Sequence, residues 1–321
     1  MLRDTDTMTS TTPTGAPLVV VVGSVNLDVV TELDHLPRAG QTLIARSVRR
    51  NVGGKGANQA VAAQISCGAV SFIGRVGDDA DGRTLVAELD RRGVATDLVA
   101  VVTDEPSGAA YIAVADGQNT IVVAAGANSV WGAFSDDERS AIEAAPVVVC
   151  QLEIPDAVIA AASERSTGRF VLNAAPARPV PESVLGRCDP VVVNENELAD
   201  LTGLSVDDPD SALAAARELR TRGAISVVAT LGAAGSIWVD ADGHGRQPSP
   251  RVEVLDSTGA GDQFVGALAA RLATGDELAA AVRWATAAAS ISVQGIGTLA
   301  SYPDADSIAG VVAGLPGPSA G

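Results

Sequence analysis

Apolar and polar positions alternate along the chain in two rhythms. Residues 18–22 form an unbroken apolar run closed by Gly23, the pattern of a strand buried on both faces of a parallel sheet. Beyond it, in Ser24-Val25-Asn26-Leu27-Asp28, the polar side chains Asn26 and Asp28 fall at period two. The carboxyl end of a strand is where α/β sheets bind ligands, and turn caps are about as common there. Residues 29–52 break the rhythm with Pro37, Gly40 and short runs such as Thr42-Leu43-Ile44-Ala45, which predicts β structure outside the main sheet. Residues 57–65 have helical composition, so Gly53-Gly54-Lys55-Gly56 is a loop feeding a helix N-terminus. A strand over 70–73 and an amphipathic helix over 81–92, closed by Gly93, come next. Short strands follow at 98–102, 109–114 and 120–123, the last two joined by the hairpin signal Asp116-Gly117. With 29–52 they predict a small sheet that would cover a ligand as a lid.

From Ser135 a regular βα alternation resumes, with strands at 147–152, 169–172, 190–193 and 225–230, and predicts a parallel sheet covered by helices on both faces. The strands end in polar or small residues: Gln151 and Glu153, Asn173, Asn194 and Glu197, Thr230 and Gly232. Each taken singly is an ordinary cap or turn residue; together they form a row along the binding edge. Val252 and Val254 alternate as a strand, residues 264–272 read as an apolar helix, and another helix covers 277–290. A Gly-rich loop, Val293-Gln294-Gly295-Ile296-Gly297-Thr298, then runs to Ser301, and a last helix covers 304–312. The expected architecture is one α/β domain over 18–318, with its lid at about 29–52 and 98–124. Residues 1–17, rich in Thr, Ser, Pro and Gly, are expected to be a disordered tail, and Met8 could serve as a start as well as Met1.

Composition narrows the function. The net charge of −17 argues against a nucleic-acid surface, which needs clustered Lys and Arg. The chain has a single lysine, Lys55. The odd set Cys67, Cys150 and Cys188, all in apolar stretches, is expected of reduced thiols in a cytoplasmic protein, and no stretch of eighteen apolar residues predicts a membrane span. With only His35 and His244, far apart in predicted loops, acid–base work falls to carboxylates.

Asp256-Ser257-Thr258-Gly259-Ala260-Gly261-Asp262 carries the candidate chemistry. Its glycines sit at a turn into a helix, where backbone N–H groups and the helix dipole favour an anion. Asp262 could be a helix cap worth roughly 0.5–2 kcal/mol. Behind three small residues that let a phosphate approach, it could equally accept a proton from an attacking hydroxyl. The Gly-Gly-Lys-Gly run is not a Walker A loop, since no Ser or Thr follows the lysine. Three glycines around the only lysine, with Asn58 nearby, suggest a backbone pressed close to a polar ligand; a plain Gly-rich turn is the competing reading.

Taken in order, Gly23-Ser24-Val25-Asn26-Leu27-Asp28, Gly53-Gly54-Lys55-Gly56-Ala57-Asn58-Gln59-Ala60, Asn194-Glu195-Asn196-Glu197, Thr230-Leu231-Gly232 and the Asp256–Asp262 stretch resemble the ribokinase-like (PfkB-type) carbohydrate kinases over about 18–303. The resemblance implies a three-layer α/β/α sandwich with a central, mostly parallel sheet and a small β lid. It implies ATP-dependent phosphorylation of D-ribose at the 5-hydroxyl, with Asp262 as general base and an anion hole at Gly259, Ala260 and Gly261. It implies that Asn26, Asp28, Gly54, Lys55, Gly56, Ala57, Asn58 and Glu153 hold the sugar. ATP would lie along Asn194, Thr230, Leu231, Gly232, Ala233, Ala234, Gly235, Gly261 and Thr286, with Glu197 assisting Mg²⁺. Potassium would sit among Asp256, Thr258, Ser292, Gly295, Gly297 and Ser301, and the lid would pair two chains as a homodimer. Two departures stand out: Thr286 replaces a larger polar side chain beside adenine, and Gln294-Gly295-Ile296-Gly297 replaces a commoner basic version.

Three rivals differ in substrate or class. A sibling kinase would act on deoxyribose, fructose, 2-keto-3-deoxygluconate or a nucleoside. A Rossmann dehydrogenase is opposed by Phe264 at the third glycine position of the fingerprint. A non-catalytic sugar sensor would be expected to lose the acid at position 262.

Overall fold

The apolar run of residues 18–22 becomes the middle of a wide sheet. In the computed structural model, which describes residues 16–116 and 118–320, the first half of the chain runs β1 (Val19–Val22), β2 (Asn26–Glu32), β3 (Ser47–Gly53), α1 (Lys55–Cys67), β4 (Val70–Gly77), α2 (Ala80–Arg91), β5 (Val99–Val102), β6 (Gly108–Ala115) and β7 (Gln118–Ala124). After these come α3 (Asp136–Ala144), β8 (Val147–Gln151), α4 (Asp156–Arg165), β9 (Arg169–Asn173), α5 (Glu182–Leu185), β10 (Cys188–Asn194), α6 (Glu195–Thr202) and α7 (Pro209–Thr221). The chain closes with β11 (Val227–Thr230), β12 (Ser236–Val239), β13 (His244–Gln247), α8 (Ala260–Ala273), α9 (Leu278–Ser292), α10 (Ala305–Gly314) and β14 (Ser319–Ala320).

Ten strands form one sheet in the order β14-β13-β12-β11-β10-β9-β8-β1-β4-β5. The seven from β11 to β5 run parallel, and β12, β13 and β14 extend the sheet antiparallel. Side chains alternate across a strand, so β1 feeds two cores. Val19 and Val21 pack with α1, α8 and α9 on one face, and Val20 and Val22 with α4 and α7 on the other. All four valines are fully buried, each contributing up to about 1.5–3 kcal/mol of transfer free energy. The predicted α/β/α sandwich is therefore present.

The small sheet has the order β3-β2-β6-β7. It differs from the expected lid in one strand. Val99–Val102 pairs with β4 in the large sheet, Gly74 opposite Val99, because its apolar run continues the buried edge there. Asn26 and Asp28 belong to β2 of the small sheet and not to the end of β1. Thr42-Leu43-Ile44-Ala45 forms no strand, and neither do Val252 and Val254; both runs lack a neighbouring strand to pair with, and Ile44 and Val254 are exposed. The antiparallel strands β12 and β13 were not foreseen. The helices α1 and α8 start earlier than their apolar runs, so Lys55, Gly56, Gly261 and Asp262 are first-turn residues. The tail at 1–17 lies outside the described residues except for Ala16 and Pro17, as do Met1, Met8 and Gly117; Asp116 before that glycine has φ 49°, as a tight hairpin requires.

Candidate active site

Helices α1 and α8 pack closely because small residues face each other between them. A Cβ on Gly266 would lie 2.3 Å from the carbonyl oxygen of Gln59. This close approach sets the start of α1 against the start of α8. The two helices begin at glycines with positive φ, Gly54 at 88° and Gly259 at 78°. A side chain at Gly54 would meet backbone atoms of Ser24, Val25 and Asn26 within 3.0 Å, and one at Gly259 would meet Thr298 Cγ2 at 2.3 Å. Tyr302 donates to the Gly259 carbonyl at 3.0 Å, fixing the turn from outside; burial first, and then the Asp262 charge, push that phenol well above its ordinary range.

Asp262 is 8% exposed, and both its oxygens accept amide hydrogens. Asn58 Nδ2 donates to Oδ2 at 2.9 Å, and Gln59 Nε2 donates to Oδ1 at 2.9 Å. The first-turn amides of α8 have no intrahelical acceptor; that of Ala260 reaches Ser257 O at 3.3 Å. A Cβ on Gly261 would meet nothing within 4 Å, so the helix presents bare backbone to open space beside the carboxylate.

Opposite lies a polar group built from β1, β2 and β8. Glu153, in the turn after β8, accepts from Ser24 Oγ at 2.5 Å and from the Lys55 amide at 3.0 Å, meeting the start of α1 from across the sheet. Gly56 and Ala57 contribute by smallness: a Cβ on Gly56 would lie 2.6 Å from the Ser24 nitrogen, and the Ala57 amide donates to Ser24 O at 2.9 Å. Asn128, in the Ala125-Gly126-Ala127-Asn128 run that shares in the family resemblance without an expected site role, donates to Asn26 Oδ1 at 2.8 Å and brackets Val25. Asp28 packs against Gly53, where a Cβ would sit 2.1 Å from its carboxylate. Burial, then the charges of Glu153 and Asp262, push its carboxyl up to about 7. Burial pushes the Lys55 ammonium down, but the carboxylates of Asp262, Glu153 and Glu197 together outweigh it and hold the group above its ordinary value.

Lys55, Asp262, Gly259 and Gly261 also line a cavity of about 220 Å³ that runs to Asn173, Asn194, Glu197 and Thr230. Asn194 and Glu197 form a reciprocal cap at the start of α6, which leaves one Glu197 oxygen uncommitted by that cap. Burial raises the Glu197 carboxyl against the opposing pull of the Asn194 amide and Lys55. Gly232, Ala233 and Ala234 make an exposed turn next to Thr230, closed by the Leu231 amide bonding to Gly235 O at 2.8 Å. Thr286 stands apart. Its buried hydroxyl is engaged with Val282 O and Ser236 Oγ, each at 2.8 Å.

The segments 256–258 and 295–301 lie side by side. Asp256 accepts from the amides of Thr258 at 2.9 Å and Gly297 at 3.0 Å, joining the two segments. Burial pushes its carboxyl up, yet these donors and Arg49 hold it below the usual range. Ser301 packs on Gly295, where a Cβ would be 2.7 Å from that of Ser301 and 3.9 Å from Ser292 O. Among the described residues no three His, Cys, Asp or Glu side chains gather as a metal site.

A deep carboxylate at a glycine-led helix start, a lysine in the same cleft and a lid sheet above define a phosphotransferase-like site, and the chain belongs to the pfkB carbohydrate kinase family: residues 16–305 match that family, described as pfkB family carbohydrate kinase. The particular relatives are pentose kinases. Ribokinase of Arabidopsis thaliana is 36% identical over 309 residues, 91% of this chain and 80% of that protein. The structure of Arabidopsis thaliana ribokinase complexed with ribose and ATP covers 93% of this chain and 99% of its own, with TM-score 0.87 and 34% identity. Deoxyribokinase of Salmonella typhimurium is also 36% identical, over 89% of this chain and 95% of the relative. The chain spans 56% of the bifunctional ribokinase/ribose-5-phosphate isomerase A of Fructilactobacillus sanfranciscensis, at 38% identity.

Proposed function

We propose that the chain transfers the γ-phosphoryl group of ATP to the 5-hydroxyl of D-ribose, giving ribose 5-phosphate and ADP. The carrying observation is the placement of Asp262: buried, held by two amide donors, and beside the bare backbone of Gly261. Asp262 takes the hydroxyl proton as that oxygen attacks phosphorus and the bond to the bridging oxygen of ADP breaks. The amides of Gly259, Ala260 and Gly261 and the dipole of α8 stabilise charge on the transferring group. Asn26, Asp28, Lys55, Asn58 and Glu153 offer the mixed donors and acceptors that a neutral polyol needs, with the backbone of Gly54, Gly56 and Ala57 pressed against it. The nucleotide occupies the cavity from Gly261 to Asn194 and Thr230, its base directed to the turn at 231–235. Thr286, apart from this cavity and with its hydroxyl engaged by Val282 O and Ser236 Oγ, is not a hydrogen-bonding partner of the base.

Oxygen donors are what Mg²⁺ and potassium prefer, and both sites supply them. Glu197 would hold Mg²⁺, which when bound neutralises phosphate charge. Asp256, kept ionised, and the carbonyls and hydroxyls of Thr258, Ser292, Gly295, Gly297 and Ser301 would hold potassium behind the anion hole. Free thiols at Cys67, Cys150 and Cys188 support a reducing, cytoplasmic setting; among the described residues no helix is long and apolar enough to cross a membrane. The exposed apolar residues Ile121, Val122 and Val123 on β7 support a homodimer through the lid.

ADP release with D-ribose, deoxyribose, fructose, 2-keto-3-deoxygluconate and nucleosides, with and without potassium, tests the substrate. Ribose is expected to give the highest kcat/KM; a higher value for deoxyribose assigns the chain to the sibling activity. Asp262→Asn is expected to lose about 10²–10⁴ in kcat while remaining folded. A folded variant of undiminished rate rejects the base.

A further inference from the structure

A carboxylate that takes a proton has to be both ionised and aimed. Asn58 and Gln59 each bind a different oxygen of Asp262, but they are supported differently. Asn58 Oδ1 is buried and unpartnered. Gln59 is fully buried, and its amide is engaged on every side. Its Nε2 also donates to Asn173 Oδ1 at 2.9 Å, and its Oε1 accepts from Gln151 Nε2 at 2.7 Å.

The sense of each bond in this chain follows from its two ends. A carboxylate only accepts, so the nitrogen of Gln59 faces Asp262 and its oxygen is left for Gln151. At the other end Asn173 Nδ2 donates to the Val192 carbonyl at 3.2 Å, so Asn173 presents its oxygen to Gln59. Flipping either amide would set donor against donor or acceptor against acceptor. Gln151 fits behind Gln59 because residue 23 is glycine: a Cβ there would lie 2.2 Å from Gln151 Oε1. That oxygen is buried without a partner, an unfavourable arrangement that packing alone would not select.

We infer that Gln59, held in one orientation by Gln151 and Asn173, is the positioning residue for Asp262. It fixes Oδ1 and leaves Oδ2 with its Asn58 donor toward the sugar. Because Asn173 also lines the nucleotide cavity, the same amide registers the base against the site of the phosphoryl donor. This inference rests on Asp262 being the base.

The test is kcat and both KM values from pH 5 to 9 for Gln59→Met, Gln59→Glu and Gln151→Met beside Asp262→Asn, each normalised to nucleotide-binding stoichiometry. Gln59→Met is expected to lose about 10- to 100-fold in kcat with both KM values within about threefold of wild type. Gln59→Glu, which sets a like charge against Asp262 in place of the amide donor, loses more kcat than Gln59→Met. Gln151→Met removes only the support behind Gln59 and gives a smaller loss of kcat, again with both KM values near wild type. Wild-type kcat in Gln59→Met, or a loss carried by KM, overturns the inference, whatever its melting temperature. If Gln59→Met does not fold, wild-type kcat in Gln151→Met overturns it instead. Full activity in Asp262→Asn overturns the base and the inference together; an inactive Asp262→Asn beside an unaffected Gln59→Met overturns the inference alone.

Discussion

Burial, with the charges of Glu153 and Asp262, raises the Asp28 carboxyl in the cleft to about 7. In the unfolded chain it ionises near the ordinary carboxylate value, so between about pH 4 and 7 the folded state holds the extra proton. Stability from this group is therefore present at low pH and lost as pH rises toward 7. Asp28→Asn is expected to raise the melting temperature at pH 8 and leave it unchanged near pH 4.5. After discount for partial exposure, the difference is on the order of 1–2 kcal/mol. The same variant should weaken sugar binding, since a carboxylate acceptor becomes an amide; thermal melts at both pH values and sugar titration check the two effects. Asp262 could be named from the sequence because a carboxylate among glycines is conspicuous, and Asp28 and Glu153 because they follow apolar strand runs. Gln59 could not. Its signal, one long polar side chain in a run of small helical residues, is shared by many surface positions, and only burial against Asp262 separates it from them.

At the scale of elements, the two glycine-led helix starts respond differently to a methyl group. Gly54→Ala forces a positive φ on alanine and a clash with backbone, and is expected to destabilise by about 2–4 kcal/mol. Gly261→Ala enters open space in a helical conformation, so melting should be unchanged while kcat falls about 10-fold or more as the phosphate is pushed away. Chemical denaturation and steady-state kinetics on the pair separate fold from function. Both loops could be read from the sequence, as could the βα alternation, since long apolar runs and glycine clusters are strong local signals. Strands β12 and β13 were not legible: each is four residues long and owes its state to pairing with a neighbour already in place. Val252 and Val254 show the converse, an alternating pair with no neighbour to pair with.

For the whole molecule, strand register decides which side of the lid is unpartnered. Asp28 lies opposite Asn51 and Ala110, which turns that face of the small sheet toward the cleft. Val48, Tyr111 and Val122 belong to the other parity and are more than half exposed. With β7 open along its length, the chain is expected to sediment as a dimer. Tyr111→Asp combined with Val122→Asp, two residues paired on that other face, is expected to yield a monomer with an intact melting profile; sedimentation velocity reads the outcome.

The chain carries 39 acidic residues and places its one lysine inside the cleft. Its outer surface is thus almost blank to reagents that couple through primary amines. Within this sequence, succinimidyl dyes, aldehyde resins and amine cross-linkers find a single side-chain target, Lys55, and it lies inside the cleft. Acylation there is expected to inhibit, and a saturating nucleotide to protect against it.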